Sequence, residues 1–193
     1  MTSSRREHLV STALQLFCEQ GFRATGIDRV LAESGVAKKT LYNHFRSKDE
    51  LILAALAKRD EDFLAKMRTA IARLTPQQEG DPRMAPVLAF FDGLHEWFTG
   101  PGFNGCTFIN ASAEFPDEED PIHAACAAHK QLVVATIEGL LSDLPLAEPA
   151  RVARQVALLA DGAIVNAHTA RDLDAAHCAK AAVRLLLEAH LKH

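Results

Sequence analysis

No run of apolar residues in this 193-residue chain approaches the roughly 20 that a membrane-crossing helix requires. The opening Met1-Thr2-Ser3-Ser4-Arg5-Arg6-Glu7 lacks the apolar core of a signal peptide. Both absences point to a cytoplasmic protein with no membrane partner. The four cysteines, Cys18, Cys106, Cys126 and Cys178, form no C-x-x-C pair and no zinc-finger spacing. Scattered thiols of this kind are expected to be mostly small buried hydrophobes. The nine histidines show no ligand spacing either. His95-Glu96 lacks the second histidine of H-E-x-x-H, and His123 and His129 do not share a helical face. No metal site is expected. The acidic run Asp117-Glu118-Glu119-Asp120 lacks the spaced ligands of a calcium loop and reads as a solvated loop leading into a helix at Pro121. There is no G-x-S-x-G, no phosphate-binding glycine loop and no constellation of nucleophile, base and orienting group. Neither enzymatic chemistry nor a cofactor is indicated. Strand-like alternation and internal repeats are missing too, which leaves helices.

Hydrophobic residues make up 48% and charged residues 24% of the chain, the balance of a globule with a real core. The net charge of −4 is unevenly spread. Residues 1–48 hold eight Lys/Arg against four acids, a surplus of +4, and the remainder holds 13 bases against 21 acids. A basic end suits an anionic partner that the acidic remainder would repel.

Within that basic end, Gly35-Val36-Ala37-Lys38-Lys39-Thr40-Leu41-Tyr42-Asn43-His44-Phe45-Arg46-Ser47-Lys48 organises the chain. At helical periodicity Leu41 and Phe45 share one face, while Lys39 and Asn43 lie opposite. Lys38 and Tyr42 line one flank, Thr40 and His44 the other. Lysines at the start of a helix oppose its dipole, so an external anion is expected to favour them. So short a helix needs a platform, and residues 22–34 read as one. Thr25 is expected to be its N-cap, with Asp28 completing a capping box. Ile27, Val30 and Leu31 supply its apolar stripe, and Gly35 its turn. Helix, glycine turn and short helix make a helix-turn-helix. Lys39 and Asn43, with Thr40 sharing, are placed to read base edges. Thr25, Lys38, Tyr42, His44 and Lys48 are placed to hold phosphates.

Residues 5–52 resemble the TetR family of transcriptional regulators. The match is carried by Ala13, Phe17, Gly21, Thr25, Ile27, Ala32, Gly35, Val36, Thr40, Leu41, Tyr42, His44, Phe45, Lys48 and Leu51. Departures are mild: Gly26 stands where serine or a larger residue is commoner, and Ala37 leaves the recognition helix without a side-chain cap.

Beyond the head, Ser47 to Glu50 reads as a capping box that opens a long helix over about 48–74. The breaker cluster Thr75–Pro82 ends it. Further helices are expected near 83–98, 105–115, 121–142, 148–170 and 174–191, about nine in all. Gly105-Cys106 with Asn110 forms a G-C-x-x-x-N core resembling one subfamily of the TetR regulators. The family's last two helices form a dimer. Here the first of the pair is small-faced (Ala153, Ala157, Ala160, Ala163, Ala167), which suits close packing either across a two-fold axis or inside one chain. Seven of the twelve aromatics lie within residues 90–115. With the polar groups among them they imply, under the resemblance, an effector cavity built from Phe91, His95, Trp97, Phe98, Cys106, Phe108, Asn110, His129, Asp161 and His168. An ordinary helical core is the alternative. Cys106 reads as a small buried residue or as a reactive thiol at a helix start.

The expected protein is all-α. A three-helix DNA-binding domain spans 1–50, and a helical effector-binding and dimerisation domain spans 51–193. The resemblance implies a homodimeric repressor that a small apolar or aromatic effector releases from double-stranded operator DNA. A regulator without an effector is the alternative, and a small helical enzyme the remote one.

Overall fold

The computed structural model describes residues 4–191; the outermost residues of the two expected domains, 1–3 and 192–193, lie outside the described residues. The described residues form nine α-helices: α1 Arg5–Gln20, α2 Ile27–Ser34, α3 Lys38–His44, α4 Lys48–Leu74, α5 Ala85–Thr99, α6 Thr107–Glu114, α7 Pro121–Leu140, α8 Pro149–Thr169 and α9 Ala175–His190. A 3₁₀ turn, Thr75–Gln77, follows α4, and a lone bridge joins Leu146 to Leu191. No strand is present among the described residues, and none of their helices is long and apolar enough to cross a membrane.

Local chemistry explains most helix ends. Ser4 and Glu7 form a reciprocal capping box at α1, which ends at Gly21 with φ 91°. Asp120 accepts the Ile122 N–H at 2.7 Å ahead of Pro121, which opens α7. Ser47 accepts the Glu50 N–H at 3.1 Å, but Glu50 reaches back one residue further than a capping box requires, to the Arg46 N–H at 2.7 Å. The expected cap of α2 is corrected. Its N-cap is Gly26, without a side-chain bond, and Thr25 faces inward. The Thr25 hydroxyl donates to the Gly21 carbonyl at 2.7 Å, tying the loop back to the end of α1. Thr25 is only 1% exposed, so that bond is made out of water.

The chain packs as two compact units. One contains residues up to Phe63 together with Thr107–His129; the other contains Leu64–Cys106 and Lys130 onward. This division by packing is a different partition from the expected boundary near residue 50.

In the first unit α1 packs on α2 and α3. Leu9, Ala13, Leu16 and Phe17 from α1 meet Phe22, Val30, Leu41 and Phe45 in a dry core. Phe17 stacks on Phe22 at 5.2 Å, and Phe22 meets the edge of Phe115, just past α6, at 6.5 Å. In the second unit α8 and α9 pack together and both lie on α5. The small face of α8, from Ala153 through Ala157, Ala160 and Ala163 to Ala167, is buried within the chain itself. Close packing of these alanines therefore needs no second copy. Leu158 and Val165 on α8 and Leu185 on α9 are left exposed, at 72%, 41% and 67%.

Candidate functional site

The basic end of the chain presents the clearest site. Gly35 takes φ 65° and sends its N–H to the Leu31 carbonyl at 3.0 Å, so the chain turns within one left-handed residue. Nothing lies within 4 Å of where a Cβ would stand, so backbone conformation alone explains glycine here. After the turn α3 begins at Lys38 behind Ala37, which provides no side-chain cap. Leu41 is 0% exposed and Phe45 3%; they anchor α3 in the core. The Arg6 guanidinium lies 5.2 Å from the centre of the Phe45 ring, and His8 Nε2 stands 3.0 Å from the Ser34 carbonyl. The end of α2 and the residue that follows α3 are thus each held to α1.

On the outward side Lys38, Lys39, Asn43 and His44 are exposed, Tyr42 is 47% exposed and Thr40 is half-buried. Lys38 meets Asp28 at 3.5 Å, but both groups stand in water, where such a pair is weak and exchanges readily with another anion. Lys48, in the first turn of α4, donates to the Arg23 carbonyl at 3.1 Å. Burial lowers its pKa, while the nearby carboxylates of Glu114 and Asp49 favour the charged form. The structure therefore brings seven of the eight expected DNA-facing residues to the surface of one unit. The eighth, Thr25, is committed to the interior.

The residues expected around an effector are divided between the two units. In the first unit the buried His129 ring stacks on Phe108 with centroids 3.6 Å apart, and its Nδ1 lies 2.8 Å from an Asp60 oxygen on α4. Asn110 is half-buried on α6. The second unit holds the other residues. Trp97, Phe98 and Phe103 form a cluster, with Trp97 and Phe103 edge to face at 5.1 Å, and His168 meets Phe103 at 6.3 Å. Phe91 is fully buried and Cys106 is 7% exposed. Asp161 pairs with Lys130 at 2.6 Å.

His95 faces elsewhere, stacking on His177 with centroids 4.1 Å apart. It sits in an open cleft of about 420 Å³ whose lining includes Asp92, Lys180 and Arg184. Asp92 accepts both Lys180, at 2.7 and 2.8 Å, and Gln78, at 2.7 Å. This cleft is lined by charge rather than by the apolar walls expected for an aromatic effector. Sequence reasoning misses Asp60, Asp92, His177 and Lys180. The one signal available is on α9, where His177, Lys180 and Arg184 fall on one helical face.

Residues 9–55 match the family model described as bacterial regulatory proteins, tetR family. The whole chain is 31% identical to SCO4454, a TetR-family transcriptional regulator from Streptomyces coelicolor. That alignment covers 98% of this chain and 91% of that one, with a TM-score of 0.84. The chain belongs to the TetR family. It is also 29% identical over 139 residues to the transcriptional repressor NemR of Escherichia coli K12, covering 72% of this chain and 67% of NemR. To the transcriptional activator FasR of Mycolicibacterium smegmatis it is 36% identical over 88 residues, spanning 46% of this chain but only 39% of FasR. As a TetR-family protein it is a DNA-binding transcriptional regulator, like these relatives, and not an enzyme. One named relative is a repressor and another an activator, so membership leaves the sign of regulation open.

Proposed function

We propose that this TetR regulator is a homodimeric repressor that releases a palindromic operator when a small molecule binds its helical domain. The observation that carries the DNA-binding part is α3: Leu41 and Phe45 are buried beneath it, and Lys39, Asn43 and Tyr42 stand in solvent. Lys39 and Asn43, with Thr40, read base edges in the major groove. Lys38, Tyr42, His44 and Lys48 hold phosphates. Thr25 contributes by fixing the loop before α2 rather than by reaching DNA with its hydroxyl.

A short recognition helix gains specificity from a second half-site, which supports a dimer. The last two helices are the proposed interface, through the apolar groups they leave exposed: Leu158, Val165 and Leu185. The G-C-x-x-x-N core, the Trp97–Phe98–Phe103 cluster and the Phe108–His129 stack support an apolar or aromatic effector. To lower operator affinity ten- to a hundredfold, an effector must favour the DNA-incompetent state by about 1.4–2.8 kcal/mol.

The test is fluorescence anisotropy of the purified protein on duplexes from its own upstream region, over a salt series. Tight, site-selective binding with two protomers per site supports the reading; equal affinity for random DNA defeats it. A chemical library screened by thermal denaturation then seeks the effector, because a ligand of the folded state raises the midpoint. On the operator, Tyr42→Phe is expected to weaken specific and random DNA alike, while Asn43→Ala mainly relaxes sequence choice. An equal loss of specificity in both would refute that division.

A further inference from the structure

Glu114, the last residue of α6, lies 92 positions from the loop it holds. Its carboxylate accepts two consecutive backbone N–H groups, that of Phe22 at 2.8 Å and that of Arg23 at 2.6 Å. One oxygen serves each donor, a fork that only a carboxylate completes. The same short loop receives Lys48, whose ammonium donates to the Arg23 carbonyl. So the Arg23 peptide is gripped on both sides: Glu114 takes the N–H and Lys48 takes the carbonyl. Two aromatic contacts reinforce the grip. The Arg23 guanidinium lies 5.2 Å from the Phe115 ring centre, and Phe22 packs against the edge of that ring. At the other end of α6, the Thr107 hydroxyl stands 3.4 Å from the Cys18 sulfur on α1.

We propose that Glu114 is a positioning residue for DNA binding: by fixing the Phe22–Arg23 backbone it holds the Lys48 ammonium at the DNA surface, ready to meet a phosphate. This rests on the DNA-binding reading above. It gives α6 a part in recognition although none of the proposed DNA contacts lies on α6. The Glu114 charge acts in the same direction as its geometry, since it helps keep the half-buried Lys48 protonated.

Glu114→Gln is the appropriate perturbation. A carboxamide matches the shape but turns a donor toward one of the two N–H groups, so the fork cannot close. The experiment is a double-mutant cycle of Glu114→Gln and Lys48→Met, read by anisotropy on a random duplex and on an upstream duplex at several salt concentrations. Losing one phosphate contact per protomer makes the slope of log K against log[salt] shallower by about 0.9 per protomer, or about 1.8 for a bound dimer. Lys48→Met is expected to show this change. Glu114→Gln is expected to reproduce most of it and to weaken both duplexes about five- to tenfold. In the Lys48→Met background, Glu114→Gln should change affinity less than twofold and leave the slope where it is.

Far-UV circular dichroism and the thermal midpoint of each variant report folding separately. Full additivity, with Glu114→Gln equally harmful when Lys48 is gone, overturns the positioning role and leaves the DNA-binding reading intact. An unchanged slope in Lys48→Met overturns both the positioning role and the Lys48 contact. A wild-type protein that binds neither duplex overturns the underlying reading as well.

Discussion

Replacing Thr25 by valine separates two roles that a threonine at a helix start can play. The side chain is buried and its hydroxyl donates to the Gly21 carbonyl at 2.7 Å, with a longer approach of 3.4 Å to the Leu16 carbonyl. Valine keeps the shape and removes the donor. The Gly21 carbonyl retains a second partner, the Thr25 N–H at 3.3 Å, so it is not orphaned. The cost is therefore that of a net hydrogen bond, about 1 kcal/mol. Thr25→Ala removes a buried methyl as well and should cost about 2 kcal/mol in total. In a chain of this size each kcal/mol moves the thermal midpoint by about 2–4 °C. The assay is urea and thermal denaturation followed by circular dichroism at 222 nm, because the single tryptophan, Trp97, belongs to the other packing unit. In parallel, the salt slope of DNA binding should be unchanged in Thr25→Val, since no phosphate contact is lost. A valine variant as stable as the wild type, or one whose salt slope falls by about 0.9 per protomer, refutes an internal role for the hydroxyl.

Gly35 and Gly105 both take positive φ, at 65° and 73°, but a Cβ at Gly105 would come within 2.7 Å of the His168 ring, whereas that at Gly35 would meet nothing. Gly35→Ala should therefore cost about 1 kcal/mol of backbone strain, and Gly105→Ala about 1–3 kcal/mol more from overpacking, measured by urea midpoints; equal losses would contradict the contact. Asp92 sits in a half-buried pair with Lys180 and also takes Gln78, so Asp92→Asn should destabilise by about 2 kcal/mol. A change of less than half a kcal/mol would place that pair among inconsequential surface ions. Leu158→Glu combined with Leu185→Glu should yield monomers in sedimentation velocity with helix content intact, and dimers that persist would move the interface away from these two residues.

The head was largely legible because its determinants are local. Gly35 takes the left-handed turn and Ala37 leaves α3 uncapped, as their residue types imply, and Leu41 and Phe45 go inward, as the periodicity implies. Thr25 misled because the rule that threonine caps the helix it precedes ignores a nearby acceptor in the previous helix. The loop from Gly21 to Thr25 reverses so tightly that the Gly21 carbonyl lies closer, and Gly26 is left at the cap position. Residues beyond the head were harder for another reason. Helical periodicity says which residues face inward but not which helix they meet. His129 finds Asp60 across 69 positions, and Glu114 finds Phe22 across 92. Nothing in the intervening sequence encodes those meetings. The G-C-x-x-x-N core likewise gave no hint that Gly105 lies against the ring of His168.

The cysteines carry a practical consequence. Cys106 and Cys126 are buried and Cys18 is half-buried, but Cys178 on α9 is exposed. A maleimide dye added at one equivalent should mark α9 preferentially in the unmodified protein, because accessibility governs which thiol reacts. Trp97 on α5 provides a natural donor for energy transfer to that dye. Without a single mutation, the regulator therefore carries an optical ruler inside its second packing unit, and a dye at Cys178 on each of two copies would report their association directly.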